Sequence, residues 1–448
     1  MLDGAASNGT LPDGSAGRRV RRCLTGVLAA VLLAGAAGCG SRLPERDFTH
    51  RDRGRDDART AGPLKVGIIT SATSPVGGDA FTGPRDGARA YFDRLNREGG
   101  VHGRKVRAVT CDDGGSGVGN YACVQRLLQR DKVFALVAGA SLDYAGARRV
   151  SAAGVPDIGG QPVGAAYDTY PHLYGIYGSW APREGRPGWG GKLYGGTEVY
   201  RYFKREHGAR TAAVVSYNQS ASAAYARLLT RGLRAEGYRV TVQRADFALP
   251  NFAAVAAQLR EQKTDLVFDA LDAHGNAQLC EALDAADVRL TAKVTNVQNW
   301  NDDVAAEYKR APRCRNSLWV TGSSRNHADT GHPAVREFRT ELARQGKGGP
   351  ALSQWQLEGW AAAMWFRDAA VSCRELTRRC VERYLERKEP YTAHGLLLPV
   401  TYQRHSEPPR ERRTCLSVAR WRDGSGWVTQ GGEMTRNCFT VPQLGYRP

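Results

Sequence analysis

The sequence predicts an α/β chain in two lobes, each a parallel sheet covered by helices, joined by a hinge. Three observations carry this. From residue 64 short apolar runs alternate with amphipathic stretches. The alternation stops across residues 159–191, which are rich in Gly, Pro, Tyr and Trp. It then restarts and continues to about residue 321. A repeated strand–helix–strand order implies parallel sheets with helices on both faces.

The composition agrees with a globular chain. Of 448 residues, 42 % are apolar and 24 % charged, which excludes wholesale disorder and a collagen-like fibre. No run reaches the ~18 consecutive apolar residues of a membrane-spanning helix. The net charge is +18, but arginine outnumbers lysine and the basic residues are scattered. Only Arg18–Arg22 and Arg410–Arg413 are tight clusters, so no nucleic-acid partner is expected.

Residues 1–39 read as an export signal. Arg18, Arg19, Arg21 and Arg22 form a positive region, Leu24 to Ala37 an apolar core, and Ala36-Ala37-Gly38-Cys39 a small-residue end. The end resembles a bacterial lipobox, with alanine where leucine is usual three residues before the cysteine. That resemblance implies lipidation of Cys39 and anchorage to the outer face of the membrane. Residues 40–62 are charged and poor in apolar side chains, as in a disordered tether.

Cys23 belongs to the signal, and beyond Cys39 eight cysteines remain, an even number that suits disulfides in an exported chain. Neighbour pairing keeps each bond inside one local unit: Cys111–Cys123, Cys280–Cys314, Cys373–Cys380 and Cys415–Cys438. No C-x-x-C occurs, and no histidine stands at zinc-finger spacing, so no metal or other cofactor is expected.

The first lobe begins with strand Val66–Ile69 and a helix over 82–98 with Ala88, Tyr91, Phe92 and Leu95 at helical spacing. Strands follow at 106–110, 134–138 and 155–158, with helices at 120–130 and 144–153. The second lobe alternates helices at 192–206, 221–236, 252–262 and 275–286 with strands at 212–216, 238–243, 266–271, 292–297 and 318–321. Helices at 333–345 and 354–372 come next. The latter has an aromatic face of Trp355, Leu357, Trp360, Met364 and Trp365 that suits packing on a sheet. Residues 391–448 hold short β-like runs. Residues 64–178 with 325–390 are assigned to the first lobe, and 179–324 with 391–448 to the second.

Several strings resemble the type I periplasmic solute-binding proteins of the branched-chain amino-acid-binding kind. Lys65 to Pro75 is similar to that family's first strand and ligand loop. Phe81-Thr82-Gly83, an Ala-rich helix, and Asn96-Arg97-Glu98-Gly99-Gly100-Val101-His102-Gly103 follow in the family's order. Asp112-Asp113 also matches, as does Ala235 to Leu271 in the second lobe. The likeness spans about 64–390. It implies a lipid-anchored, non-enzymatic binding protein that passes a small polar ligand to the permease of an ABC importer. A ligand-sensing lipoprotein of the same fold is the alternative.

The candidate ligand residues lie in loops at the carboxyl ends of strands, where open α/β sheets bind ligands. In the first lobe these are Thr73, Ser74, Ser141 and Leu142. Ser141 is expected just before a helix whose N–H groups suit an anion. In the second lobe they are Tyr217, Asp272, Gln298 and Asn299, with Trp180 in the first crossover. The resemblance implies an aspartate at the crossover and a glutamate after a later strand. Here Trp180 and Gln298 or Asn299 stand there, leaving Asp272 as the acid, to be buried on closure and partnered by a ligand donor. An amide, a peptide-like compound or another small acid fits as well as an amino acid. No G-x-S-x-G, H-E-x-x-H or Walker A string occurs. Asp302-Asp303 reads as a helix cap.

Overall fold

The computed structural model describes residues 62–448. The export signal, the lipidation at Cys39 and all but the last residue of the tether lie outside them. The first sheet holds β1 (Leu64–Thr70), β2 (Val106–Asp112), β3 (Ala135–Val137), β4 (Asp157–Gly160) and β5 (Leu173–Gly175), ordered β2-β1-β3-β4-β5 and parallel throughout. Its helices in that span are α1 (Gly78–Arg97), α2 (Gly117–Gln125) and α3 (Ala147–Ala152). The expected helix over 120–130 is α2 followed by a π-helical turn at Arg126–Arg130. The expected helix over 144–153 starts only at Ala147.

The chain then makes β6 (Leu193–Gly195), α4 (Glu198–His207), β7 (Thr211–Tyr217), α5 (Ser220–Ala235), β8 (Arg239–Ala245), α6 (Phe252–Glu261), β9 (Leu266–Ala270), α7 (Ala273–Ala285) and β10 (Ala292–Thr295). Two short helices, α8 (Val304–Glu307) and α9 (Pro312–Arg315), precede β11 (Leu318–Gly322). Next come α10 (Pro333–Arg344), α11 (Gln354–Val371) and α12 (Arg378–Leu385). Five strands finish the chain: β12 (Glu411–Cys415), β13 (Ser417–Arg422), β14 (Gly426–Gln430), β15 (Cys438–Pro442) and β16 (Leu444–Tyr446). The second sheet runs β14-β13-β11-β10-β9-β7-β8, with β13 and β14 antiparallel at one edge. The carboxyl-terminal residues thus complete this sheet, while β12 pairs with β15 and β16 with β6.

The helix over 354–372 is α11, and it buries nearly every side chain. It lies against α1 and β4 of the first sheet, with Trp360 edge-on to Tyr91 and Phe338. Two glycines set that approach. A Cβ on Gly87 would lie 1.8 Å from the Gln356 carbonyl oxygen, and one on Gly359 would lie 2.0 Å from that of Pro84. Only a residue without a side chain lets the two backbones come so close. The four disulfides join Cys111–Cys123, Cys280–Cys314, Cys373–Cys380 and Cys415–Cys438.

Three segments connect the two sheets and run side by side. Ser179 N–H donates to the Thr401 carbonyl (3.0 Å), and Leu398 N–H to that of Ser323 (2.8 Å). Glu358 of α11 sits where they meet and is fully buried. Its carboxylate accepts from Tyr177 of the first crossover (2.9 and 3.0 Å), Ser324 of the second (2.5 Å) and Gln161 after β4 (2.8 Å). Gln354 extends the network to Ser324 (2.7 Å), and His327 to Asp302 (2.9 Å). Asp302 is therefore this histidine's partner. Asp303 holds the N-cap position of α8 without capping it through its side chain.

Burial raises the Glu358 carboxyl to about 7, against the pull of its hydrogen-bond donors. A raised carboxyl keeps its proton in the folded state, so its contribution to stability is full below about pH 4.5 and is lost as pH rises through about 7. Glu358→Gln carries no such proton. Melts at about pH 4 and pH 8 should show wild type losing on the order of 3 kcal/mol relative to the variant. A pH-independent difference contradicts this assignment.

Candidate functional site

In the first lobe Asp113 and Asn120 hold the loops that follow β1, β2 and β3. Ser71 Oγ donates to Asp113 Oδ1 (2.6 Å), and Leu142 N–H donates to Ser71 Oγ (2.9 Å). Asn120 Nδ2 donates to Asp113 Oδ2 (3.0 Å) and Ser141 Oγ (2.9 Å), while its Oδ1 accepts from Gly146 N–H (2.9 Å). Asn120 is fully buried and Asp113 nearly so. This network fixes Ser141 and Leu142 at the carboxyl end of the sheet. The helix expected directly after Ser141 begins six residues later, because 142–146 form the turn that Asn120 braces. Ser141 therefore offers its hydroxyl there, without an adjoining helix terminus. Among the described residues no acceptor takes its proton.

Ser74 is buried and its Oγ bonds the Val76 backbone at both N–H (3.1 Å) and carbonyl (3.0 Å). It shapes the loop as a turn residue. Thr73 is exposed and its N–H donates to Asp112 Oδ1 (3.3 Å). Behind Ser141 a cavity of about 20 Å³, room for one water, is lined by Asp157, Gln161, Tyr144 and Tyr167. Asp157 Oδ2 accepts from Tyr144 (2.6 Å) and Tyr167 (2.9 Å), and its Oδ1 is buried without a partner. Burial lifts this carboxyl to about 6 against the two hydroxyls.

In the second lobe Asp272 differs from expectation. It is the N-cap of α7, accepting from Gly275 N–H (2.9 Å), and the same Oδ1 accepts from Tyr217 OH (3.0 Å). The chain itself supplies two donors to Oδ1, so only the other oxygen is left for a ligand. Oδ2 has no partner among the described residues. Beneath it lies a buried ion pair, Lys293 Nζ to Asp269 Oδ2 (2.6 Å), joined by Asn276. Asn296 ties the next loop to Leu271 (3.1 Å) and caps Gln298 N–H (3.0 Å). Asn299 is buried and donates to Thr295 Oγ1 (2.9 Å), so it serves the loop interior.

The lobes meet at a cluster of Phe81, Ala140 and Trp355, against which Leu142 of the first lobe and Val297 of the second both pack. Beside it the Gln298 side-chain oxygen lies 3.9 Å from where a Gly77 Cβ would be. The structure thus brings Leu142 and Gln298 to one interface with the Ser141 loop, and Tyr217 to Asp272. Among the described residues no hydrogen bond links these two clusters. Trp180 is elsewhere: it lies under Arg412 and stacks on His405. The cause is the return of the carboxyl-terminal strand β12, which carries Arg412 against the first crossover.

The sequence reading named no role for Asp113, Asn120, Gln161, Asp157 or Glu358. An Asp-Asp pair ending a strand, with an asparagine in the next helix, was the one available signal. Glu307 was also missed. It is raised to about 7 by burial, then by Asp303 and by Asp79 of α1.

A family model described as periplasmic binding protein matches residues 63–425. The chain belongs to that family. Its fold is shared with an extracellular ligand-binding receptor from Verminephrobacter eiseniae, at 16 % identity, 82 % of this chain, 100 % of that one and TM-score 0.64. A substrate-binding periplasmic protein from Ralstonia solanacearum aligns at 17 % identity over 82 % and 99 % of the two chains, TM-score 0.63. LivJ of Streptococcus pneumoniae, solved with isoleucine, aligns at 13 % identity over 82 % and 100 %, TM-score 0.60. No curated protein matches the chain. Membership agrees with the carboxyl-end loops of two sheets facing one another beside three connecting segments.

The polar bracing predicts a test of this periplasmic binding protein's first lobe. Asn120→Ala removes three buried hydrogen bonds and leaves Asp113 Oδ2 and Ser141 Oγ unpaired. Denaturant melts should show a loss of about 2–4 kcal/mol. A loss below about 0.5 kcal/mol contradicts the bracing.

Proposed function

We propose that this periplasmic binding protein captures a small polar solute between its lobes and delivers it to an ABC importer permease, without catalysis. The lobes, residues 64–178 with 325–390 and 179–324 with 391–448, close about the three connecting segments. One observation supports this best. The loops at the carboxyl ends of the two sheets leave a hydroxyl donor at Ser141, an amide at Gln298 and a carboxylate oxygen at Asp272 without protein partners among the described residues. Such groups are costly to close over unless a ligand pairs with them. Ser141 and the backbone around Leu142 suit an acceptor-bearing end, and Asp272 with Tyr217 a donor-bearing end. Asp272 stands where an amine or amide would meet it. An amino acid, an amide or a related compound has both ends, as does the isoleucine bound by the Streptococcus LivJ.

The exported location follows from the family, and among the described residues no helix is long and apolar enough to cross a membrane. Anchorage is proposed through lipidated Cys39, with 40–62 as tether. Mass spectrometry of protein from its native membrane should find the lipid on Cys39. A membrane-bound Cys39→Ala contradicts it.

A thermal-shift screen across amino acids, amides, short peptides and small acids should return a stabilising ligand. Calorimetry with that ligand should then show Asp272→Asn weakened by about 2 kcal/mol or more and Ser141→Ala by about 1 kcal/mol. Unchanged affinity in both variants contradicts the site.

A further inference from the structure

We infer that the first crossover holds a second ligand pocket, built for a small planar organic acid. A cavity of about 190 Å³ lies between the first crossover and the carboxyl-terminal strands. It shares no lining residue with the loops of the proposed solute site. Four aromatic rings, Trp180, Trp189, Tyr194 and Tyr446, stand among polar groups that make up most of its exposed lining. Trp189 stands edge-on to Tyr194, with ring centroids 5.7 Å apart. Such rings favour a flat body that also carries polar groups.

One cation faces this space. The Arg412 guanidinium lies 3.0 Å over the Trp180 ring, whose other contact is the stacked His405 ring at 4.7 Å. Stacking uses a face of the guanidinium and leaves its edge N–H groups free to bond. Among the described residues the Arg412 guanidinium makes no hydrogen bond or ion pair, while its backbone pairs with Val441 in the β12–β15 ladder. A half-buried guanidinium without acceptors is costly, and the acceptor that matches its planar fork is a carboxylate. The amide Nε2 of Gln443, which lines the same cavity, is buried and also lacks an acceptor. Neither donor meets an acceptor within hydrogen-bond distance among the described residues, although the Glu198 carboxyl is electrostatically coupled to Arg412.

The nearby acids limit that anion to a single charge. Asp168 lines the cavity, and Ser179 Oγ donates to its carboxyl. Glu198 lies near Arg412 with one oxygen buried and unpartnered. Burial raises both carboxyls, easing their repulsion of a monocarboxylate. Geometry supplies the site: one cavity whose lining holds four aromatic rings, a guanidinium and an amide without hydrogen-bond acceptors.

The probe is benzoate, titrated into the disulfide-bonded full chain by calorimetry, with the fluorescence of Trp180 and Trp189 followed in parallel. Saturable binding is expected, with Arg412→Gln at least about tenfold weaker and Arg412→Lys between the two. Gln443→Leu, which leaves the strand pairing intact, should weaken it severalfold. Benzamide, neutral and of the same shape, should bind at least about tenfold more weakly than benzoate. The inference is overturned by absence of saturable binding, by equal affinity for benzamide, or by benzoate binding that Asp272→Asn abolishes while Arg412→Gln and Gln443→Leu leave it intact.

Discussion

One buried carboxylate holds the architecture together. Glu358 belongs to a helix of the first lobe, and its donors come from the end of β4 and from two connections between the sheets. A buried charged or protonated acid is tolerated only when its hydrogen bonds are complete, so these groups must meet in one place. Where they meet fixes how the carboxyl ends of the two sheets face each other. The Gly87 and Gly359 approach between α1 and α11 sets the position of Glu358 itself, since it holds α11 against the first lobe. The hinge and the helix packing are thus one constraint.

The candidate site depends on the same logic of completed polar groups. Asp113 and Asn120 satisfy each other and the loop backbone, and Lys293, Asp269 and Asn276 do so in the second lobe. Networks of this kind give rigid loops, which cost little entropy on binding. Of the polar groups left unpaired, some lie in the facing loops and some around the cavity beside Arg412, while others are buried elsewhere in both lobes. Solute capture and the proposed acid pocket are readings of the first two sets.

Much of the fold was legible because apolar periodicity reports burial, and burial sets strands and helices. The strands near 66, 214 and 268 and the helix over 354–372 stand close to where the alternation puts them. The neighbour pairing of cysteines was legible because each pair joins elements close in sequence: β2 to α2, α7 to α9, the turn after α11 to α12, and β12 to β15. Helix α12, Arg378–Leu385, was not read, since half of its residues are charged and only Val381 and Leu385 give it an apolar face, buried in the core of the first lobe. Glu358 was hidden for a related reason: its partners lie up to 197 positions away. Trp180 was assigned to the cleft by resemblance, and the distant strand bearing Arg412 places it elsewhere. Asp272 was taken as an acid awaiting a ligand, while the Tyr217 hydroxyl and the α7 terminus claim one of its oxygens.

The central claim is that two lobes close about this hinge on a solute. Val118 and Leu249 are each 85 % exposed, one in each lobe. The native cysteines from 111 onward are all in disulfides. Spin labels on Val118→Cys and Leu249→Cys in a Cys23→Ser, Cys39→Ser background give the distance between lobes by pulsed electron resonance. The account predicts a broad or longer distance without the screened ligand and a shorter, narrower one with it. An identical distribution in both states, at saturating ligand, contradicts it.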